Sequence, residues 1–113
     1  MDINKEQLND DIIKINLSGR MDVGGVGEIE AEFSTIASTA DMSIIVDMSA
    51  VPYMSSIGIR ALLINAKAVN RRGQKYALLT PQSDVKNVLE VSGIDQLITI
   101  CGDIDEAISK VSS

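Results

Sequence analysis

Ile13, Ile15 and Leu17 alternate with Lys14 and Asn16, a period of two that puts three apolar side chains on one face of a strand. The segment from Asp11 to Leu17 is expected to pair with the segment from Ile3 to Leu8 around a turn at Asn9-Asp10. After Gly19-Arg20-Met21-Asp22 the period lengthens. Val26, Ile29, Phe33 and Ile36 recur at helical spacing, while Glu28, Glu30 and Glu32 stay largely off that stripe. Asp22 is the expected N-cap of this helix.

Met42 to Met48 is a short, nearly continuous apolar run, the pattern of a central strand covered on both faces. The next helix is expected over 57 to 72, with Ile59, Leu62, Leu63, Ala66 and Val69 inward, Arg60, Lys67 and Arg71 outward, and Gly73 as its stop. Lys75 to Thr80 reads as a strand. Pro81 to Asp84 then opens a helix that buries Val85, Val88 and Leu89 and closes at Ser92-Gly93. Gln96 to Cys101 reads as a last strand and Asp103 to Val111 as a terminal helix. The order is β-β-α-β-α-β-α-β-α. It predicts an α/β fold, a mixed and mostly parallel sheet with four helices, as one domain over residues 1 to 113.

Composition narrows the functions such a fold can serve. A length of 113 residues, 45% hydrophobic and 23% charged, suits one compact domain. A net charge of −6 argues against direct binding to nucleic acid or to an anionic membrane, both of which need a basic footprint. Met1 to Asp11 carries Asp2, Lys5, Glu6, Asp10 and Asp11, so no signal peptide is expected, and no segment reaches the roughly 20 apolar residues of a membrane helix. A single cysteine, Cys101, and the absence of histidine exclude internal disulfides, ordinary zinc sites and histidine-dependent triads. The expected compartment is the cytoplasm, with no metal and no cofactor.

The individual motifs point away from catalysis. Asp22 to Glu28 is glycine-rich, but no Lys-Ser or Lys-Thr follows it and the dinucleotide-binding spacing is absent. Three glycines in a first turn are instead expected to leave a loose, closely approachable helix start suited to protein docking. Asp103, Asp105 and Glu106 sit where negative charge favours a helix start. With three aromatic residues and no basic stripe, Tyr53 and Phe33 are read as packing and not as a base-stacking platform. Cys101 ends an apolar strand as a small buried residue. Ser55 and Ser56 are left. Either hydroxyl could cap the helix that follows, and neither has a histidine base or a Gly-x-Ser-x-Gly context for nucleophilic work.

The stretch from Ile44 to Leu63, IIVDMSAVPYMSSIGIRALL, resembles the central signature of the STAS domains, and in particular of the bacterial anti-sigma-factor antagonists. Their pattern runs from an apolar strand through Asp-Leu-Ser and an aromatic-apolar-Asp-Ser-x-Gly turn into a Leu-rich helix. Asp47, Met48, Ser49, Tyr53, Met54, Ser56, Gly58, Ile59 and Leu62 fall on it. Leu17 to Asp22 is similar to the Gly-x-Leu-Asp turn of that family, and Val85 to Ile100 to its late helix and final strand. Nearly the whole chain is covered, in the right order.

The resemblance implies a non-enzymatic switch. In that family the serine before x-Gly is phosphorylated by a serine kinase that doubles as an anti-sigma factor, and a PP2C-type phosphatase reverses the modification. The unphosphorylated form binds the kinase and releases the sigma factor. By position the acceptor is Ser56. Ser55 stands where the family has Asp, which makes it an alternative acceptor, and Ile57 stands where a second serine often follows. The expected partner surface gathers Asp22, Val23 and Gly24 with Met54, Ser55, Ser56, Ile57, Gly58, Ile59 and Arg60; for Met54 and Ile59, packing in the core is the competing role. A STAS scaffold or transporter-associated module that is never phosphorylated is the alternative function, and a small-ligand sensor is a third.

Overall fold

The computed structural model describes residues 1–112, in the order β1 (Asp2–Gln7), β2 (Ile12–Ser18), α1 (Val23–Thr39), β3 (Ser43–Ala50), α2 (Ser56–Arg71), β4 (Tyr76–Leu79), α3 (Ser83–Val91), β5 (Thr99–Cys101) and α4 (Ile104–Val111). The sheet runs β1-β2-β3-β4-β5, antiparallel between β1 and β2 and parallel from there on. Each crossover steps to the next strand in the same direction, so right-handed connections put α1, α2 and α3 on one face. α4 packs across the other face, against β3, β4 and β5.

The predicted periodicities account for this layering. Ile13, Ile15 and Leu17 point into the larger core under α1 and α2, while Ile12 joins the smaller core beneath α4. In β3, Ile44, Val46 and Met48 face the first layer and Ile45 the second, as expected of a central strand covered twice. Asp47 lies on the α4 side. Its carboxylate accepts the Ser49 amide at 2.9 Å and meets the Lys14 ammonium at 3.5 Å, which pins the end of β3. Cys101 is buried on β5, beneath α4.

Differences from the sequence reading are small and local. The first hairpin keeps its turn, where the Asn9 side chain accepts the Asp11 amide at 2.8 Å, but each strand is shifted by one residue. The last strand is shorter than Gln96 to Cys101. Ile94–Gln96 forms a 3-10 turn, and Ile94 and Ile98 are buried while Leu97 is 70% exposed, so the apolar run serves a turn and then a short edge strand. Val88 is half-buried, leaving Val85 and Leu89 as the anchors of α3.

Candidate functional site

β2 and β3 end side by side, and the loops leaving them are joined. The Gly19 amide donates to the Ala50 carbonyl at 3.0 Å, and the Met21 amide to the Tyr53 carbonyl at 2.9 Å. Met21 and Met54 form an isolated parallel bridge that extends the pairing beyond the sheet. The two helix starts are thereby held together, α1 after Asp22 and α2 after Ser55.

Asp22 caps α1 as expected. Its carboxylate accepts the Gly25 amide at 2.8 Å, and that hydrogen bond, helped by Arg20, holds its pKa below the usual aspartate value despite some opposing desolvation. A carboxyl group whose folded pKa is depressed stabilises the fold above its unfolded pKa and loses that contribution as the pH falls through the folded value. Asp22→Ala should therefore lower the thermal midpoint at pH 7. The gap from wild type should begin to narrow near pH 4 and close further in more acid solution, as followed by circular dichroism. An equal gap at pH 7 and pH 2.5, roughly either side of the aspartate range, would refute the capping role.

The two serines divide the available roles. Ser55 occupies the cap position of α2 but makes no side-chain cap bond; its hydroxyl donates to the Met21 carbonyl at 3.0 Å, the same oxygen that accepts its amide. It is half-buried. Ser56 is the first helical residue, exposed, and its hydroxyl has no hydrogen-bond partner among the described residues. The expectation that either hydroxyl caps the helix by satisfying its own first amides is thus corrected: the Met21 carbonyl, brought alongside by the bridge, claims the Ser55 hydroxyl.

The glycines work by close approach. A Cβ at Gly58 would lie 2.8 Å from Met54 Cγ and 2.9 Å from Met21 Cβ, so the bridge can rest on the helix only where no side chain intervenes. Gly25 is also buried, and a Cβ there would collide with the Arg20 carbonyl oxygen. The glycine-rich start of α1 is therefore tight at Gly25, where the sequence predicted looseness, and open at Gly24 and Gly27.

The remaining predicted residues divide by exposure. Val23 is 73% exposed, Gly24 and Arg60 are exposed, Ile57 is half-buried beside Arg60, and Ile59 is half-buried. Met54 is 4% exposed and Gly58 is buried, so both lie beneath the surface. Sequence reasoning missed Arg20. Its guanidinium sits 4.2 Å from the centre of the Tyr53 ring and 3.5 Å from the Asp22 carboxylate, which gives the patch a cationic and aromatic rim. Its only sequence signal was its place within Leu17 to Asp22. Among the described residues, no group of three or more acidic, histidine or cysteine side chains is placed to hold a metal ion, and no helix is long and apolar enough to cross a membrane.

A five-stranded mixed sheet with a serine-bearing helix start beside a glycine-rich one is the architecture of a small α/β module. The chain belongs to the STAS domain family, whose model matches residues 3–107. It is 24% identical over 101 residues to the anti-sigma-B factor antagonist of Staphylococcus aureus strain NCTC 8325, covering 88% of this chain and 94% of that one. Among solved structures, the Bacillus cell fate determinant SpoIIAA in its phosphorylated form superposes with a TM-score of 0.72 at 23% identity, covering 98% and 100% of the two chains. The STAS domain protein of Planctomyces limnophilus gives 0.86 at 21% identity, covering 100% of both. The fold also matches part of the murine Slc26a9 anion transporter, with a TM-score of 0.77 at 18% identity, over 93% of this chain and 18% of that one.

Proposed function

We propose that this domain is an anti-sigma-factor antagonist, a non-enzymatic regulator whose unphosphorylated form binds an anti-sigma factor and so frees a sigma factor. The partner is a serine kinase that phosphorylates Ser56, and a PP2C-type phosphatase restores the binding form. The observation that carries the choice of Ser56 is the division between the two serines: the Ser55 hydroxyl is spent on Met21, and the Ser56 hydroxyl is exposed and free at the head of α2. The family and the names of its relatives support the partner class.

A phosphate on Ser56 adds about −1.5 to −2 charges at neutral pH, at a helix N-terminus whose dipole tolerates them. The fold is kept. The cost falls on the complex, because bulk and charge arrive in the middle of the contact surface formed by Val23, Gly24, Ile57, Ile59 and Arg60, over the support of Met54 and Gly58. A penalty of about 3 kcal/mol weakens binding roughly a hundredfold. Asp22 is committed to the α1 cap, so of the two charged residues first expected on the surface, Arg60 gives the cleaner test of contact.

Incubation with ATP and the anti-sigma-type kinase of its own source, followed by peptide mass spectrometry, tests this reading. Modification should survive Ser55→Ala and vanish with Ser56→Ala, and the phosphorylated protein should bind the kinase about a hundredfold more weakly. Phosphate on Ser55, or none with any cognate kinase, refutes it. The absence of any phosphate would favour a STAS scaffold or transporter-associated module, the reading to which Ser55 in place of Asp points.

A further inference from the structure

α1 and α2 lie side by side and run in the same direction, and the Met21–Met54 bridge starts them at the same level. Counted down both helices from that bridge, Gly27 stands at the level of Arg60, Ala31 at that of Ile64 and Ser34 at that of Lys67. All six are exposed, Ile64 by 48%. α1 therefore presents small residues interrupted by Glu30 and α2 a ridge of long ones, and an open groove of about 380 Å³ runs between the helices, lined by Gly27, Glu30, Ala31 and Ser34 of α1 and by Ala61, Ile64 and Asn65 of α2.

The charges divide in the same way. α1 carries Glu28, Glu30 and Glu32 and no basic residue; α2 carries Arg60, Lys67 and Arg71 and no acidic one. Among the described residues only Glu28 of these six forms an ion pair, with the N-terminal ammonium at 2.6 Å. Two neighbouring helices of opposite sign thus keep nearly all their charges for the outside.

We propose that this face binds a second copy of the chain about a twofold axis parallel to the two helices. Such an axis preserves height along the helices and exchanges their places, so α1 of each copy lies over α2 of the other. Each ridge then meets the small residues at its own level, Ile64 is covered, and acidic helices meet basic ones. A twofold axis across the helices would instead stack α1 on α1, acid against acid. The surface is thus self-complementary in shape and charge in one arrangement only. The inference does not depend on phosphorylation, and Lys67 and Arg71 lie outside the surface assigned to the anti-sigma factor.

Sedimentation velocity on the full chain, from low micromolar to about 100 µM, tests it. Wild type should show a reversible monomer–dimer equilibrium. Lys67→Glu/Arg71→Glu makes both helices acidic and Glu30→Lys/Glu32→Lys makes both basic. Each variant alone should weaken dimerisation at least about tenfold, and an equimolar mixture should recover it. All four side chains are exposed, and circular dichroism checks that the fold is kept. A wild type that stays monomeric throughout overturns the proposal. So does a dimer indifferent to either variant, or a mixture that fails to pair.

Discussion

Gly25→Ala is expected to destabilise the domain by about 3 kcal/mol, at the upper end of what an added methyl group costs in a packed site. The new Cβ would fall on the carbonyl oxygen of Arg20 and lie 2.8 Å from Met1 Cγ. Met1 can swing aside, but the Arg20 carbonyl cannot move alone. It belongs to the peptide whose amide, on Met21, donates to Tyr53, and the Met21 carbonyl in turn accepts both the amide and the hydroxyl of Ser55. Relief of the clash must shift the first turn of α1 or break the bridge that aligns the two helix starts. Binding of the proposed anti-sigma partner should therefore weaken along with stability. Gly27→Ala is the control: its Cβ would meet nothing within 4 Å, and alanine in an exposed helical position should stabilise by up to about 1 kcal/mol. Urea unfolding with an unchanged slope separates the two, and equal midpoints would refute the close approach at Gly25.

Phe33→Ala should cost about 3–5 kcal/mol, a large share of the roughly 5–15 kcal/mol that holds an ordinary domain together. Phe33 is fully buried in the middle of α1, within the core shared with Ile13, Ile15 and Leu17 of β2 and Ile44, Val46 and Met48 of β3. Truncation loses the transfer of a large aromatic group from water and leaves a cavity beneath a helix that cannot collapse far toward a rigid sheet. Val91→Ala supplies the contrast. Val91 is 81% exposed at the end of α3, and its truncation should stay within about 0.5 kcal/mol. A Phe33 variant that unfolds at the same denaturant concentration as the Val91 variant would show that α1 is not anchored through this side chain.

The division between the two serines bears on how such a switch is made. A free hydroxyl is useful as an acceptor only if its surroundings stay in place when it is modified. Here the neighbouring Ser55 fastens the start of α2 to Met21, so the proposed phosphate on Ser56 would not release the helix. The rim formed by Arg20 and Tyr53 lies on the loops that this fastening joins.

Periodicity carried the order of the elements and most of their core faces. The alternation of Ile13, Ile15 and Leu17, the unbroken apolar run of β3 and the helical spacing of Val26, Ile29, Phe33 and Ile36 each report which face meets the core, because burial repeats with the geometry of the element. The same logic fails at Gln96 to Cys101, where Leu97 is apolar yet exposed and the run is shared between a turn and a strand. Asp22 was also legible, since a cap bonds to an amide three residues on. The roles of Ser55 and Ser56 were not: the sequence shows two adjacent hydroxyls with equal claims on one helix start. The oxygen that decides between them, on Met21, lies 34 residues before Ser55. The pairing of Arg20 with Tyr53, the tightness at Gly25 and the level alignment of α1 with α2 are of the same kind. Local periods and the Asp22 cap are properties of a few neighbouring residues, so the sequence by itself determined them. The use of each hydroxyl, and the matching of one helix face to the next, depend on distant segments brought together, and only the tertiary structure decided those.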